Sequence, residues 1–314
     1  MANAYGYSHN NKLCGVNGIA VGPAGFEVDI ADRYGLNVFH NDGLVYYVDG
    51  NAGKDTNNGL SWEASFKTLA VAFAASHASI ASSPKGTGRG WAARNTIYIK
   101  GDSFEESLTV FPQKTDIIGV GSCDFLAKPQ IIGVQANATA VMGCRFINVA
   151  FNNTTADETV NVKQYSHGIS FINCDFLGNA TTTIALLIND CANASVIGCK
   201  FMGTTYGVKQ LVGLQVSGVG TNNNLRILNN YFNCAVGITI DDTNVVDGII
   251  AENYLDVTTL AIDENADRMI VANNMWISAA VVASSYDLAV TKCVGNLATG
   301  SDVTRAVPQI AAPV

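Results

Sequence analysis

Two pairs of acidic residues are the side chains of this sequence best suited to chemistry. Asp241 and Asp242 end the apolar run ITIDD, and Asp263 and Glu264 end the similar run LAIDE. If the two runs lay one above the other, their carboxylates would stand about 5 Å apart, where like charges repel unless water or a cation screens them. A separation of about 5–5.5 Å is also the one that retaining glycosidases use for their two carboxyl groups.

Three interpretations of these acids remain open. The first is a row of turns that faces water, which is the usual environment of charged residues. The second is a site in which Asp241 and Asp263 ligate a hard cation through oxygen atoms, and the third is a glycosidase pair. His167 lacks a recognisable orienting partner for general-base catalysis, and no zinc or phosphate-loop signature appears. The sequence therefore predicts no bound cofactor.

The cysteines could ligate a metal as thiolates, but their spacing lacks the Cys-x-x-Cys pattern of zinc sites. Aligning short motifs such as VMGCRF, FINCDF, VIGCKF and ILNNYF instead places cysteine and asparagine in one column, with aromatic residues two places later. The first column contains Cys123, Cys144, Cys174, Cys199, Asn230, Asn253, Asn274 and Cys293, and the second contains Phe146, Phe176, Phe201 and Phe232. We interpret the thiols as compact side chains that fill an interior.

The motif recurs about every 24 residues, which is the key to the fold class. A second column, through Asn189, Ser217, Asp241, Asp263 and Ser284, shortens its steps in phase with the first. Each unit has room for two or three short strands and no helix, which indicates a parallel β-solenoid. The phenylalanines would then stack as an aromatic ladder, and the asparagine amides would hydrogen-bond from coil to coil.

The segments that flank the repeat give the domain organisation. Residues 43–96 contain a strand, a loop rich in Gly and Asn, and a helix predicted over 65–82 with Ser65 as its cap, which would plug the open end of the solenoid. The coils follow over 97–300, and 301–314 form a tail, so that 43–314 make one domain. Residues 1–42 do not fit the repeat, and we interpret them as an extended arm that a partner surface holds.

Composition excludes several functional classes. The chain has a formal net charge of −8, and no basic run interleaved with aromatic residues suggests a nucleic-acid groove. No stretch approaches the roughly 18 apolar residues of a membrane span, and no secretion signal is recognisable at the amino terminus. We therefore expect synthesis in the cytoplasm, with reduced cysteines.

The segment YYVDGNAGKDTNNGLSWEASFKTLAVAF, followed by NTIYIKGDSFEESLTV and DIIGVGS, resembles the opening of pectin-lyase-like right-handed parallel β-helices. The resemblance covers about residues 44–300 and is strongest to versions carried by bacteriophages and other microbial surface proteins. It implies an all-β, right-handed helix of three sheets with an N-terminal capping helix. The roles known in this superfamily are polysaccharide lyase or hydrolase, phage tailspike and non-catalytic virion protein.

The enzyme motifs of that superfamily are incomplete here. Polygalacturonase-like hydrolases follow an Asp-Asp pair with Gly-His-Gly and Arg-Ile-Lys, whereas here the nearest His-Gly, at His167, lies upstream of Asp241. Pectate-lyase-like enzymes need a basic residue beside calcium-binding acids, and no lysine or arginine of the coils is placed in that way. The prediction therefore leans against an enzyme.

The resemblance leads us to expect a virion structural protein displayed on the surface of a phage-like particle. We expect a capsid decoration protein or head spike that attaches to capsid or other virion proteins through residues 1–42 and forms a homotrimer by analogy. Contact with a host surface polysaccharide would be a further role of such a protein. The alternative is a carbohydrate-active enzyme, a polysaccharide lyase or glycosidase of the tailspike depolymerase type.

Overall fold

The computed structural model of the chain describes residues 43–298 except 83–92, 102, 122–127, 154, 156, 164–165, 181–182, 206–207, 219–221, 242–244, 279–284 and 287–290. It also describes three short antiparallel strands near the amino terminus, Tyr7–Ser8, Lys12–Cys14 and Ala20–Val21. Most of the predicted arm, the predicted tail, Cys123, Asp242 and Ser284 lie outside the described residues. No helix of the described part is both long and apolar enough to cross a membrane.

The chain folds into a parallel β-solenoid whose strands stack in three rows, here called faces 1, 2 and 3. Face 1 is a sheet of eleven strands, in which each strand pairs in parallel with the strand of the next coil. Its strands are Val45–Asp49, Asn95–Lys100, Thr115–Gly119, Arg145–Ile147, Ser170–Ile172, Ser195–Ile197, Asn222–Asn223, Arg226–Leu228, Val245–Ala251, Asp267–Ala272 and Lys292–Val294.

Faces 2 and 3 belong to one sheet of fourteen strands, because two long strands, Tyr231–Ile240 and Tyr254–Glu264, run through both faces. The remaining strands of face 2 are Ser103–Glu105, Gln130–Ile132, Ala150–Asn152, Asp175–Gly178, Lys200–Gly203, Met275–Ser278 and Leu297–Ala298. Those of face 3 are Gln135–Asn137, Val160–Val162, Ile184–Asn189, Gln210–Ser217 and Ser285–Tyr286. The predicted solenoid of strand-only coils is thus confirmed.

The inward residues of face 2 form the aromatic ladder that the sequence predicts. Phe151, Phe176, Phe201 and Phe232 occupy one register position and are fully buried. The rings of Phe176 and Phe201 lie 4.7 Å apart at 4°, and those of Phe201 and Phe232 lie 4.5 Å apart at 6°. Burying each ring contributes about 2–3 kcal/mol, so this stack is a main source of cohesion between coils.

The prediction for Phe146 is wrong, because this residue lies on face 1. It pairs with Phe171, and the two rings stack 5.5 Å apart, whereas Phe151 is the residue in register with Phe176. The motif that matches FINCDF is therefore FINVAF, over 146–151, and not VMGCRF. Aligning VMGCRF with FINCDF displaces this coil by five residues, and the two choices are easily confused because both motifs end in an aromatic residue.

The corner between faces 1 and 2 uses a left-handed residue in every described coil from Asn148 onward. The residues with positive φ there are Asn148, Asn173, Gly198, Asn229, Glu252, Asn273 and Gly295. Asparagine and glycine tolerate this conformation best, which explains the abundance of both in the repeat. One left-handed residue turns the chain sharply, so that the next residue points into the interior.

The predicted capping helix is present, but it is shorter and differently capped. Helix α1 spans Leu69–Ser82 and contacts the first strands of face 1. Its first turn is held by two carboxylates: Asp55 accepts bonds from the Lys67 and Thr68 amides, and Glu106 accepts from those of Leu69 and Ala70. Ser65 precedes the helix and is not its cap, because acidic side chains from other segments satisfy the free amides and complement the helix dipole.

Candidate functional site

The four predicted acids do not stack as two pairs. In the long strands of face 3, Asp263 pairs with Thr239 and Glu264 pairs with Ile240, so that the two acidic runs are offset by two residues. The predicted column through Asn189, Ser217 and Asp241 is correct up to that point and breaks at Asp263. An offset of two residues preserves the side of the sheet, but it separates the carboxylates along the strand.

Glu264 points into the solenoid and cannot belong to a surface site. Its side chain is 2% exposed, and its two carboxylate oxygens accept hydrogen bonds from the Ala266 amide at 2.6 Å and the Thr291 hydroxyl at 2.7 Å. A buried carboxylate requires such donors, because an isolated charge in the interior costs several kcal/mol. We therefore assign Glu264 a structural role in the last coils.

Asp241 and Asp263 are the predicted acids that the structure leaves on the outer side of face 3. Asp241 is exposed, and its carboxylate accepts a hydrogen bond from the side-chain Nε2 of Gln215 at 2.7 Å. Partial burial and the charge of Asp241 raise the pKa of Asp263. Within the described residues, no three His, Cys, Asp or Glu side chains are grouped so that they could hold a metal ion.

The cysteine–asparagine column is a polar ladder that lines the corner between faces 1 and 2. In its amide part, each backbone N–H donates to the side-chain oxygen of the next coil at 2.9–3.0 Å. Each side-chain Nδ2 donates both to that oxygen and to a face 1 carbonyl oxygen of the preceding coil. The amide members are Asn230, Asn253, Asn274 and Asn296.

Cys174 and Cys199 occupy the same ladder position as the asparagines and reproduce both of their roles. Each thiol donates to the equivalent face 1 carbonyl oxygen, at 3.4 Å to Phe146 and 3.3 Å to Phe171. Each sulfur also accepts from the backbone N–H of the coil before it, and the Cys199 amide donates to Asn230 Oδ1 at 2.8 Å. Thiol and amide alternate here because both donate and accept hydrogen bonds.

Cys144 and Cys293 were predicted to belong to this ladder and do not. Cys144 immediately precedes a strand of face 1, and Cys293 pairs with Val271 inside that face, so Asn296 is the residue that follows Asn274. Burial raises the pKa of the Cys144, Cys199 and Cys234 thiols, and that of Cys191 to about 12. These thiols are protonated at neutral pH, as expected for packing residues.

One ion pair is buried completely. Lys128 Nζ lies 2.7 Å from Asp175 Oδ1 and donates to the Asn173 carbonyl oxygen at 2.6 Å, and both side chains are at most 1% exposed. Asp175 lies in the outward row of face 2, so the pair ties residue 128 to the outer side of a later coil. Removing one partner would leave an uncompensated buried charge, which is strongly destabilising.

The surface feature that sequence reasoning missed is a groove along the edge where each coil enters face 1. Two cavities, of about 770 and 250 Å³, meet at Asn193 and together make this edge groove. One left-handed residue of each coil lies along it, in the order Lys114, Gly143, Gly168, Asn193, Asn224, Asp247 and Arg268. Ile249 and the exposed Ile270 add an apolar patch at its wider end.

The edge groove is cationic although the chain is acidic. Among the residues that the structure describes, four lysines and arginines line it (Arg94, Lys114, Arg226 and Arg268), against one acid, Asp247. Arg268 pairs with Asp247 at 2.8 Å, and Arg94 pairs with the nearby Asp116 at 2.7 Å. Burial and the positive charge of Arg94 lower the pKa of Lys114. These residues are 20 to 174 positions apart in sequence, so only the stacking of coils reveals the patch.

No protein-family model matches the chain, and no curated protein matches it. Among solved structures, it is similar to the crystal structure of pectate lyase Pel9A, with 13% identity and a TM-score of 0.44 over 82% of this chain and 80% of that one. It is also similar to ORF18 of Geobacillus virus E2, with 9% identity and a TM-score of 0.32 over 90% of this chain and 65% of that one. The fold is a parallel β-solenoid with a short helix near its amino terminus, and the likeness to these structures is one of fold.

Proposed function

We propose that this chain is a non-catalytic structural protein of a phage-like particle, displayed on the particle surface as a rigid post. In this proposal residues 1–42 attach it to capsid or other virion proteins, in the manner of a capsid decoration protein or head spike. Copies would assemble as a homo-oligomer, a trimer by analogy with other β-helices of this kind.

The observation that carries the proposal is the continuity of the interior. The polar ladder joins successive coils from Cys174 to Asn296, and a column of buried apolar side chains runs beside it from Phe151 to Trp276, aromatic in every coil except at Leu255. In a solenoid each coil is stabilised mainly by its neighbours, so columns that continue from coil to coil make a stiff rod. Stiffness along one axis is the property that a displayed post requires.

The fate of the predicted acids supports the same proposal. A glycosidase needs two carboxyl groups on one surface at a defined separation. Here Glu264 is committed to interior hydrogen bonds, and the run that contains Asp263 is offset from that of Asp241. A binding contact with a surface glycan remains compatible with this arrangement, since it requires no carboxylate pair.

The test is to ask whether the chain is part of particles. Antibodies against the full-length chain are applied to phage-like particles purified by density gradient from the strain that encodes it. We expect the chain to co-purify with intact particles in a constant ratio and immunogold label to decorate their outside. A chain found only in the particle-free fraction contradicts the proposal, with antibodies against a major capsid protein as the positive control.

The enzyme alternative has its own readout. The full-length chain is incubated with acidic and neutral polysaccharides, and new reducing ends or unsaturated ends are measured. We expect no product from either class. Product that disappears in both Asp241→Asn and Asp263→Asn, with Asp157→Asn as an exposed control, would replace the structural proposal with a depolymerase.

A further inference from the structure

We propose that the edge groove is the docking site for an acidic segment of the chain's own amino-terminal arm, residues 26–32. This proposal does not rest on the virion role, and the two are compatible because docking of residues 26–32 leaves residues 1–25 for contact with a partner. The argument combines where the arm leaves the solenoid, how far it reaches, and the charges on both sides.

The arm leaves the solenoid at the end of the groove. Gly43 packs so closely on the backbone of Arg94 that a Cβ would fall 1.9 Å from the Arg94 carbonyl oxygen, and Leu44 donates to the Asn95 side chain at 2.7 Å. Arg94 lines the smaller of the two cavities. Gly43, where the arm joins the solenoid, therefore lies beside a residue of the groove lining.

The arm is long enough to reach the wider end. Parallel coils are spaced by about 4.8 Å, so the eight steps from Gly43 to the level of Arg268 span about 38 Å. Asp29 lies 14 residues before Gly43, and an extended chain of that length covers about 46 Å. Residues 26–32 can thus lie beside the wider cavity without strain in the connection.

The two surfaces are chemically complementary. The segment FEVDIAD contains Glu27, Asp29 and Asp32 and no basic residue, whereas the described lining of the groove has four cations and one acid. In an extended conformation Phe26, Val28 and Ile30 would alternate with Glu27 and Asp29, so that over residues 26–30 one side would be apolar and the other acidic. The apolar side matches Ile249 and Ile270, and the acidic side matches the guanidinium groups.

Arg226 is the cation on which the docking depends most. Its side chain is exposed, and it has no ion-pair partner among the described residues, whereas Arg268 is already paired with Asp247. An acidic residue of the arm would give Arg226 the partner that the solenoid does not supply. Tethering raises the local concentration of the arm to the millimolar range, so a few weak contacts suffice.

The test measures protection of the arm in the full-length protein. Chymotrypsin cleavage after Tyr34, close to the proposed segment, is followed by the mass of the large fragment that begins at Gly35. We expect both Arg226→Glu and the double variant Glu27→Gln/Asp29→Asn to raise the cleavage rate about tenfold, because proteolysis tracks the open population. Lys54→Glu, an exposed cation outside the groove, should leave the rate unchanged.

Charge exchange and dilution complete the test. Combining Arg226→Glu with Asp29→Lys should restore protection, and protection should persist on about a hundredfold dilution if the arm docks on its own solenoid. Equal cleavage rates in the unchanged protein and all variants would overturn the proposal. Protection that is lost on dilution would also overturn it, because the groove would then hold the arm of a second copy.

Discussion

The thiol and amide parts of the polar ladder occupy one register position but differ in the strength of their hydrogen bonds. In the amide part, contacts of 2.9–3.0 Å form on both sides of each asparagine. In the thiol part, Cys174 and Cys199 donate over 3.3–3.4 Å, and sulfur is a weak donor and acceptor. The corner keeps the same geometry in both parts.

The geometry of the corner therefore does not depend on strong hydrogen bonds between the side chains of the polar ladder. Both parts are preceded by a left-handed residue, such as Asn173 before Cys174 and Asn229 before Asn230. Both also keep a buried apolar side chain two residues later, which is a ring at Phe176, Phe201 and Phe232 and a leucine at Leu255. Backbone conformation and apolar packing therefore set the corner, and the ladder adds stability where the side chain is an amide. Substitutions along the ladder can test this division.

The largest effect is expected from breaking the amide part with Asn253→Ala. This change removes the acceptor of the Asn230 amides and the donor to the Ile227 carbonyl, and leaves those buried groups unsatisfied. We expect a loss of about 4 kcal/mol in the free energy of unfolding, measured by urea denaturation. Asn51→Ala, at an exposed position, should change it by less than about 0.5 kcal/mol. If Asn253→Ala lowered the free energy of unfolding by no more than the exposed control does, the ladder hydrogen bonds would contribute little to stability.

A smaller effect is expected from converting the thiol part with Cys199→Asn. The amide has nearly the volume of the thiol, and it can accept from the Cys174 N–H and donate to the Phe171 carbonyl more strongly than sulfur does. We expect a gain of about 1 kcal/mol in the free energy of unfolding. A clear loss would show that this coil is packed specifically around sulfur, and Cys199→Ala gives the baseline without either group.

The smallest effect is expected on thiol reactivity. Because burial raises the pKa of Cys199, and that of Cys191 to about 12, both thiols should stay mainly protonated and be alkylated far more slowly than an exposed thiol, at pH 7 and at pH 9, in the folded protein. The half-buried Cys293 serves as the internal comparison and should react first. Iodoacetamide labelling followed by peptide mass spectrometry measures each rate. Rapid labelling of Cys199 in the folded state would contradict its role in the ladder.

Most of the fold and little of the surface could be predicted from the sequence. The period and the Phe, Asn and Cys columns predict stacked coils, and Cys174, Cys199, Asn230, Asn253 and Asn274 lie together as expected. The register of single coils could not be predicted where two alignments compete, as for Phe146. The motif FINVAF carried the correct signal, since it repeats FINCDF at four of six positions.

The solenoid, its corner residues and its helical plug can be predicted from the sequence, because local preferences and a short period recur in every coil. Which acids face inward and which cations lie together depends on how the coils stack in three dimensions. Neighbouring side chains of a strand point to opposite sides of the sheet, so Asp263 and Glu264 cannot both face outward, and Glu264 is the one that lies in the interior. The edge groove likewise exists only once coils distant in sequence are stacked about 4.8 Å apart.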